Sequence, residues 1–317
     1  MKLMMRKYQN IDDLWKIRDF LREVFLLNDR EEWSWQTLRL DYWYGRIDLG
    51  RDEPEDILFI WENEAKQIKA SLTIDGKAQA YLQIHPNYRS AELMQEMIVV
   101  AEQNLYGVGK ESKRRFINIW VHEPDEIRQD ILTRRGYKRE DNPEEQAHKF
   151  RCLLDRDLPE ISLPEGFTVR AIGDGQIDPQ DWKGRSWAWW RGFHSEEALG
   201  NYDGKWERTI KMYMSMPMYR RDLDIVVIDP NGKVAASCIL WFDDVTGMGQ
   251  FEPVAVMPKY HRQGLGKAMM LKGMHTIKIM GATMVGVHGF SVAATGLYSS
   301  LMGEEYAVGV PWTKIFD

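Results

Sequence analysis

The stretch that decides the fold reads Glu252-Pro253-Val254-Ala255-Val256-Met257-Pro258-Lys259-Tyr260-His261-Arg262-Gln263-Gly264-Leu265-Gly266-Lys267-Ala268. An apolar strand runs here into two spaced glycines, Gly264 and Gly266, and the pattern predicts a helix from about Leu265. Glycine leaves the backbone open to an anion, and the first N–H groups of a helix point at that anion with the favourable end of the helix dipole. The junction therefore predicts a pyrophosphate site, and so a nucleotide-bearing cofactor.

The spacing of the glycines excludes two common nucleotide motifs. A dinucleotide fingerprint needs a third glycine three residues after Gly266, where this chain has Met269. A P-loop needs glycine at position 261 and Ser or Thr after Lys267, where the chain has His261 and Ala268. A plain strand–loop–helix connection, in which the glycines serve packing, stays open on these residues alone.

The same stretch resembles the coenzyme A signature of the GNAT N-acetyltransferase superfamily, in which a strand ending in V-x-P is followed by Gln or Arg, two residues, Gly, one residue, and Gly or Ala. Val256, Pro258, Gly264 and Gly266 match this pattern, whereas His261 stands where the family has Gln or Arg. The resemblance implies acetyl-CoA as the cofactor. It implies these cofactor-binding residues: Val254, Ala255, Val256, His261, Arg262, Gln263, Gly264, Leu265, Gly266 and Lys267.

Composition indicates an ordinary globular protein. A chain of 317 residues with 44% hydrophobic residues and 13 Trp has room for about two domains with real cores. Two cysteines and seven histidines without paired spacing predict no metal site. Neither a signal sequence nor an apolar run long enough to span a membrane is visible, so we expect a cytoplasmic protein without a membrane partner. A net charge of −6 argues against a nucleic-acid partner.

Residues 151–164, with mixed charge and prolines, are typical of a linker between two domains. The following residues 165–317 predict the element order β-α-α-β-β-β-α-β-α-β. This is the order of a GNAT domain. The resemblance implies an α/β (α+β) fold with a mixed, mostly antiparallel central sheet flanked by helices.

Residues 1–150 resemble a second GNAT-like domain that has lost its cofactor site. Pro86-Asn87-Tyr88-Arg89 parallels Pro258-Lys259-Tyr260-His261, but Glu92 and Met94 occupy the two glycine positions. A glutamate there would repel a pyrophosphate. The interpretation is two tandem domains, of which residues 165–317 form the catalytic one; an unrelated α/β domain in the first half is the alternative.

Two residues are candidates for catalysis. Leu297-Tyr298-Ser299-Ser300-Leu301-Met302-Gly303 resembles the family motif L-Y-x-x-L-G, whose tyrosine protonates the leaving thiolate, and this implies Tyr298 as general acid. The preceding Ser291 and Ala294 stand at the Asn and Ala of the family's N-x-x-A-x-x-L-Y pattern and are expected at the cofactor. Glu252 in an apolar strand is the candidate base. Asp243 and Asp244 compete with it, although a solvated turn explains that pair better.

The acceptor pocket is expected near the first helices of the second domain. Candidates for contact with the substrate are Trp187, Trp190, His194 and Asp243. One buried face cannot use so many aromatic residues, so the others would line a pocket or a contact between the domains. Of these two explanations, core and interface packing is favoured over a ligand pocket.

The predicted function is transfer of the acetyl group of acetyl-CoA to an amine by direct attack. Two alternatives remain open: a CoA-binding sensor or interaction protein without catalysis, and a transferase of a longer acyl group. The acceptor is a small molecule or a peptide of unknown identity, and the sequence does not indicate the oligomeric state.

Overall fold

The computed structural model describes residues 3–45, 53–76, 78–172 and 179–316. In the first half the described elements follow in the order β1 (Met4–Lys7), α1 (Ile11–Leu27), α2 (Thr37–Tyr44), α3 (Pro54–Ile57), β2 (Phe59–Glu62), β3 (Ile68–Ile74), β4 (Gln79–Ile84), α4 (Ala91–Asn104), β5 (Gly107–Val108), β6 (Arg115–His122), α5 (Glu126–Arg134), β7 (Lys138–Arg139) and β8 (Ala147–Leu153).

The second half begins after an irregular segment. Its described elements are β9 (Thr168–Ala171), α6 (Pro179–Phe193), α7 (Lys205–Tyr213), β10 (Asp224–Ile228), β11 (Val234–Asp243), β12 (Met248–Val256), α8 (Leu265–Ile279), β13 (Met284–Gly289), α9 (Val292–Met302) and β14 (Ala307–Ile315). This is the element order predicted for residues 165–317.

All described strands belong to one 14-stranded sheet in the order β1-β2-β3-β4-β6-β14-β8-β13-β12-β11-β10-β9, with β5 on β6 and β7 on β14. The pairs β4–β6 and β12–β13 are parallel, and the other described pairs are antiparallel. The mixed, mostly antiparallel sheet flanked by helices confirms the predicted fold class.

The two halves exchange strands at the centre of this sheet. β14, from the second half, pairs with β6 over Gly309–Ile315, whereas β8, from the first half, pairs with β13 over His148–Leu153. The predicted linker therefore begins inside a strand, because residues 151–153 belong to β8. The division into domains at 1–150 and 165–317 stays a prediction, and among the described strands four pairs cross it: β6–β14, β7–β14, β8–β14 and β8–β13.

The halves repeat one local arrangement with one difference. In each, a strand leads through a single 3₁₀ turn, Pro86–Tyr88 or Pro258–Tyr260, into a helix. Helix α4 begins with Ser90, whose hydroxyl accepts a hydrogen bond from the Leu93 N–H at 3.2 Å. Helix α8 begins with Gly264, which offers no side chain for capping. The first turn of α4 thus satisfies one of its own donors, while α8 leaves its donors to another partner.

A third apolar cluster joins the cores of the two halves. It brings Phe25, Leu38 and Tyr42 of the first half against Trp189 and Tyr213 of the second. The rings of Tyr42 and Tyr213 are stacked with centroids 5.3 Å apart. Trp189 of α6 therefore packs in the core between the halves, whereas Phe193 at the end of this helix is 57% exposed.

Two negative findings concern the described residues. No helix among them combines the length and apolar character needed to cross a bilayer. Nor do any three His, Cys, Asp or Glu side chains among them converge in a way that could hold a metal ion.

Trp312 tests whether β14 completes the first half. This residue, 7% exposed, lies in the apolar core of the first half although its strand follows α9. We expect Trp312→Ala to lower the free energy of unfolding by about 3–5 kcal/mol, because it removes a large buried side chain. Urea denaturation measures this loss. Ile315→Ala, at a position 57% exposed on the same strand, is the matched control and should change stability by less than about 0.5 kcal/mol. Equal stabilities of the two variants would contradict the exchange.

Candidate active site

The site begins where β12 and β13 separate. Their parallel pairing ends at Phe251. Among the described residues, no strand pairs with the rest of β12 on that side. On the other side the Met257 N–H donates to the Ala235 carbonyl at 3.0 Å. Because bonded and non-bonded residues alternate along an antiparallel pair, Val254 and Val256 direct their N–H and C=O groups away from β11 and into the gap. These groups could pair with an extended ligand that lies along the strand.

The loop after β12 presents unpaired backbone donors. The first helical hydrogen bond of α8 runs from the Ala268 N–H to the Gly264 carbonyl at 3.0 Å. Among the described residues, no acceptor pairs with the backbone N–H groups from Arg262 through Lys267. Arg262 and Gly264 have φ values of 62° and 80°, and left-handed residues of this kind help to form backbone nests that bind anions. The geometry fits the predicted pyrophosphate site.

The two glycines of the motif have different roles. A Cβ on Gly264 would meet no atom within 4 Å, so this glycine serves the left-handed backbone at the start of the helix. A Cβ on Gly266 would lie 2.9 Å from Leu297 Cδ2 and 3.3 Å from Val256 Cγ2. Gly266 therefore allows α8 to pack closely on β12 and α9, and a role at the cofactor stays a prediction for this residue.

His261 and Ser291 make local contacts. The His261 ring, through Nε2, lies 3.0 Å from the Val256 carbonyl, which faces the gap beside β12. The ring thus holds the loop against the strand. Ser291 Oγ accepts a hydrogen bond from the Ala294 N–H at 3.3 Å and caps α9. Each side chain keeps a second polar group, the Ser291 O–H and the His261 Nδ1, with which it could contact a cofactor.

Glu252 lies at the point where β12 bends. The register of β11 and β12 shifts between Cys238 and Leu240, so Glu252 and Pro253 together face a single residue of β11. Such a bulge re-aims a side chain. Glu252 is directed toward the first half, where its Oε1 forms an ion pair with Nη1 of Arg39 on α2. Its Oε2 is buried and has no hydrogen-bond partner among the described residues.

Arg39 is held as a cation between two carboxylates. Burial would lower the pKa of Arg39, but the charges of Glu252 and Asp75 outweigh this and raise the pKa well above its ordinary value. Its guanidinium also lies over the rings of Trp35 and Tyr42, at 5.8 and 5.2 Å from the centroids. Arg39 therefore fixes one oxygen of Glu252 and leaves the other for a ligand.

Tyr298 lies on α9 with 5% of its surface exposed. Burial and the charge of Glu252 raise the pKa of Tyr298 far above its ordinary value, so the hydroxyl keeps its proton. No hydrogen bond to this hydroxyl is found in the described part of the chain. A buried, protonated hydroxyl near a carboxylate can act as a proton donor.

A cavity opens between the two halves beside Glu252 and Arg39. It has an empty volume of about 730 Å³ including its mouth. Its lining combines aromatic, amide and charged side chains with a few small residues: Glu32, Trp33, Ser34, Trp35, Gln36, Arg39, Tyr81, Leu82, Gln83, Trp120, Val121, His122, Arg128, Ala147, Lys149, Gln250, His288, Phe290 and Gly309.

A charged cluster crosses this cavity from one half to the other. Glu32 Oε2 lies 3.2 Å from Lys149 Nζ and 2.9 Å from His288 Nε2. Burial opposes ionisation of Glu32, yet His288 and Lys149 hold the pKa of this carboxyl well below its ordinary value. These contacts tie the loop after α1 to β8 and β13.

The four predicted acceptor residues lie outside this lining. Asp243 is 1% exposed and accepts hydrogen bonds from Arg22 of the first half, the shortest at 2.8 Å. Trp190 is buried and stacks on His194 and near Trp187, with centroids 5.4 and 5.3 Å apart. Their part in an acceptor pocket stays a prediction. They are occupied by packing and by a bond between the halves.

Sequence reasoning missed Arg39, Glu32, Gln250 and His288. The first two lie in the half from which no active-site residue was expected, and no local pattern links them to Glu252. A signal existed for Gln250, because it is a polar residue two positions before Glu252 in an otherwise apolar strand.

Comparisons with known proteins agree with this geometry. Residues 185–303 match the model of the Acetyltransferase (GNAT) family. The mycothiol acetyltransferase of Arthrobacter sp. strain FB24 is 23% identical over 236 residues, which make up 72% of this chain and 67% of that protein. That of Pseudarthrobacter chlorophenolicus is 25% identical over 227 residues, 69% of this chain and 64% of that protein. The chain thus matches about two thirds of the length of these curated relatives.

Two solved structures share the fold. A GCN5-related N-acetyltransferase from Sphaerobacter thermophilus has a TM-score of 0.63 at 15% identity, covering 99% of this chain and 95% of that one. A tandem GNAT protein from the clavulanic acid biosynthesis pathway has a TM-score of 0.65 at 14% identity, covering 99% and 98%. The family match contains β12, the loop, α8 and α9, so this region of the chain is similar to the GNAT acetyltransferase family, and the likeness in fold to these two structures extends over both halves.

Proposed function

We propose that this protein transfers the acetyl group of acetyl-CoA to an amine of a small molecule or peptide. The observation that carries the proposal is the free edge of β12 at Val254 and Val256 followed by the backbone donors from Arg262 through Lys267, which have no acceptor among the described residues, with the Glu252 charge acting on Tyr298. Acetyl-CoA, when bound, supplies a thioester whose acetyl carbon accepts the amine. Among the protein's own groups, the loop donors bind its pyrophosphate and the edge of β12 orients its pantetheine arm.

The side chains move two protons during this direct attack. Oε2 of Glu252 takes a proton from the amine as the new C–N bond forms. Tyr298 gives its proton to the sulfur as the C–S bond breaks. Arg39 contributes by holding the carboxylate of Glu252 through its other oxygen. The environment of Tyr298 raises the pKa of its hydroxyl, so this group holds the proton that an acid must give.

The relatives support acyl transfer without fixing the acceptor. Both are called mycothiol acetyltransferases, but their identity to this chain is low and a third of their length is unmatched. A non-catalytic CoA-binding protein and a transferase of a longer acyl group remain the rival functions, and the following experiments separate them.

Substitution of the two catalytic candidates tests the chemistry. We expect Tyr298→Phe and Glu252→Gln each to lower kcat by about 10²-fold or more, because each removes a proton-transfer group. Release of the free CoA thiol with a panel of primary amines measures turnover. Tyr106→Phe and Glu196→Gln, at exposed positions away from the site, are matched controls and should keep wild-type rates. Wild-type turnover in both active-site variants would contradict the assignment of Glu252 and Tyr298 as base and acid. Binding of acetyl-CoA without turnover of any amine would favour a non-catalytic CoA-binding protein.

Gly264 tests the cofactor site independently of any acceptor. We expect Gly264→Asp to abolish most of the thermal stabilisation by acetyl-CoA, because a carboxylate at the start of α8 repels the pyrophosphate. Stabilisation of the wild-type protein at a hundred times Kd should be about 2.7 kcal/mol. Gly281→Asp is the matched control, since this glycine also has a positive φ, 93°, and open space at its Cβ. If the two variants respond equally to acetyl-CoA, the loop is not the cofactor site. Parallel titrations with longer acyl-CoAs identify the preferred donor.

A further inference from the structure

The first half contains its own gap between two parallel strands. β4 and β6 pair in parallel, as β12 and β13 do, and this pairing ends at Tyr81 and Trp120. Beyond these two residues, no backbone hydrogen bond joins β4 to β6 in the described part of the chain. This first-half gap corresponds in the fold to the gap beside β12. The repeated arrangement therefore provides two places in which an extended ligand could lie along a strand.

The side chain of Arg128 occupies the first-half gap. Its Nη1 donates a hydrogen bond to the Trp120 carbonyl at 3.2 Å, and its Nη2 donates to the Leu82 carbonyl at 3.5 Å. These carbonyls belong to β6 and β4, so one guanidinium bridges the two strands where they separate. The side chain of Arg128 is only 5% exposed. While it bonds to both strands, the arm of a cofactor cannot lie between them.

A buried carboxylate holds Arg128 in this position. Asp125, the residue that caps α5, accepts a hydrogen bond from the Arg128 N–H at 3.1 Å, and its Oδ2 lies 3.0 Å from Arg128 Nε. Nη2 of Arg89, from the turn after β4, lies 2.5 Å from Oδ1 of the same carboxylate. The side chain of Asp125 is 0% exposed. A buried charge is destabilising when it loses a partner, so Asp125 favours the conformation in which Arg128 fills the gap.

The second half has an alanine at the corresponding position. Ser291 caps α9 through the Ala294 N–H, just as Asp125 caps α5 through the Arg128 N–H. Helix α9 follows β13 as α5 follows β6, so Ala294 and Arg128 occupy the same position of corresponding helices. A methyl group cannot reach from the helix to the carbonyls of two strands. The gap beside β12 is therefore not bridged from this position.

The bridge made by Arg128 also supports one wall of the cavity between the halves. Trp120, whose carbonyl accepts from Arg128, stacks its ring on Tyr81 with centroids 5.6 Å apart and an angle of 7° between the planes. Trp120 Nε1 donates to Gln79 Oε1 at 2.6 Å. Both Trp120 and Tyr81 line the cavity. Filling the first-half gap thus holds in place two aromatic side chains of this wall.

We propose that Arg128 takes, in the first half, the place that the arm of CoA would take in the second, so that this chain binds one CoA molecule and binds it in the second half. The first-half gap is then a site for a guanidinium group, which the chain fills with its own side chain. The comparison with CoA rests on the proposed function, whereas the contacts of Arg128 do not depend on it.

Chemical rescue tests the guanidinium site. We expect Arg128→Ala to lower Tm by about 5–10 °C, because Asp125 loses a partner and two carbonyls lose their donor. Ethylguanidinium, which has the atoms that the substitution removes, should restore about half of this loss or more at a concentration of about 10 mM. Ethylammonium has the same charge but lacks the planar set of donors, so it should restore less than about 1 °C. Neither ion should raise Tm of the wild-type protein.

Arg134→Ala is the matched control for the rescue. Arg134 lies on the same helix, and its side chain is 71% exposed. This variant should lower Tm by less than about 1 °C and respond to neither ion. An unchanged Tm in Arg128→Ala, or equal rescue by the two ions, would overturn the proposal.

Calorimetric titration of the wild-type protein with acetyl-CoA needs no variant at Arg128. One molecule should bind per chain, and Gly264→Asp should remove this binding. Binding of two molecules per chain would show that the first-half gap is open to the cofactor and would overturn the proposal. Absence of any binding would instead contradict the proposed function, and the rescue experiment alone would then decide whether Arg128 fills a guanidinium site.

Discussion

Backbone hydrogen bonding across the centre of the sheet is the constraint on which the rest of this structure depends. β6 pairs with β14, β14 with β8, and β8 with β13, so the strand order of the sheet changes from one half of the chain to the other three times. A ladder fixes the register of its strands, and register fixes the face to which each side chain points. This pairing therefore sets Lys149 opposite His288 and brings both to Glu32. The cavity between the halves is a consequence of the same pairing.

The sequence predicted the order of the elements well because their signals are local. Apolar alternation identified β10, β11 and β12, and Gly264 marked the start of α8. The sequence analysis did not predict the strand β8 (Ala147–Leu153), because it is short and polar at several positions. Its backbone is held by hydrogen bonds to β13 and β14, which lie far away in the sequence. For the site, the motif spacing singled out Glu252 and Tyr298, and the structure shows that the charge of Glu252 acts on the Tyr298 hydroxyl. Their catalytic roles stay predictions. Glu252 forms an ion pair with Arg39, and Asp243 with Arg22. These partners lie far away in the sequence, so the spacing of motifs could not predict them.

The two halves contribute different elements to the candidate site. The strand-to-helix junction of the first half carries Glu92 and a capped helix, and neither favours an anion. Yet its loop after α1 and its helix α2 supply Glu32, Trp35 and Arg39 to the cavity. Under the proposed function, the second half would bind the cofactor, and the first half would shape part of the cavity beside it.

The exchange of β14 also affects the order of events during synthesis. Chains generally fold domain by domain as they leave the ribosome, with the N-terminal unit first. Here the core of the first half contains Val310 and Trp312, which are translated after all of α8, β13 and α9. The edge of β6 that pairs with β14 therefore stays without this partner until most of the second half has been synthesised. During that interval an exposed strand edge is available to other chains, so this protein would benefit from a chaperone that covers it.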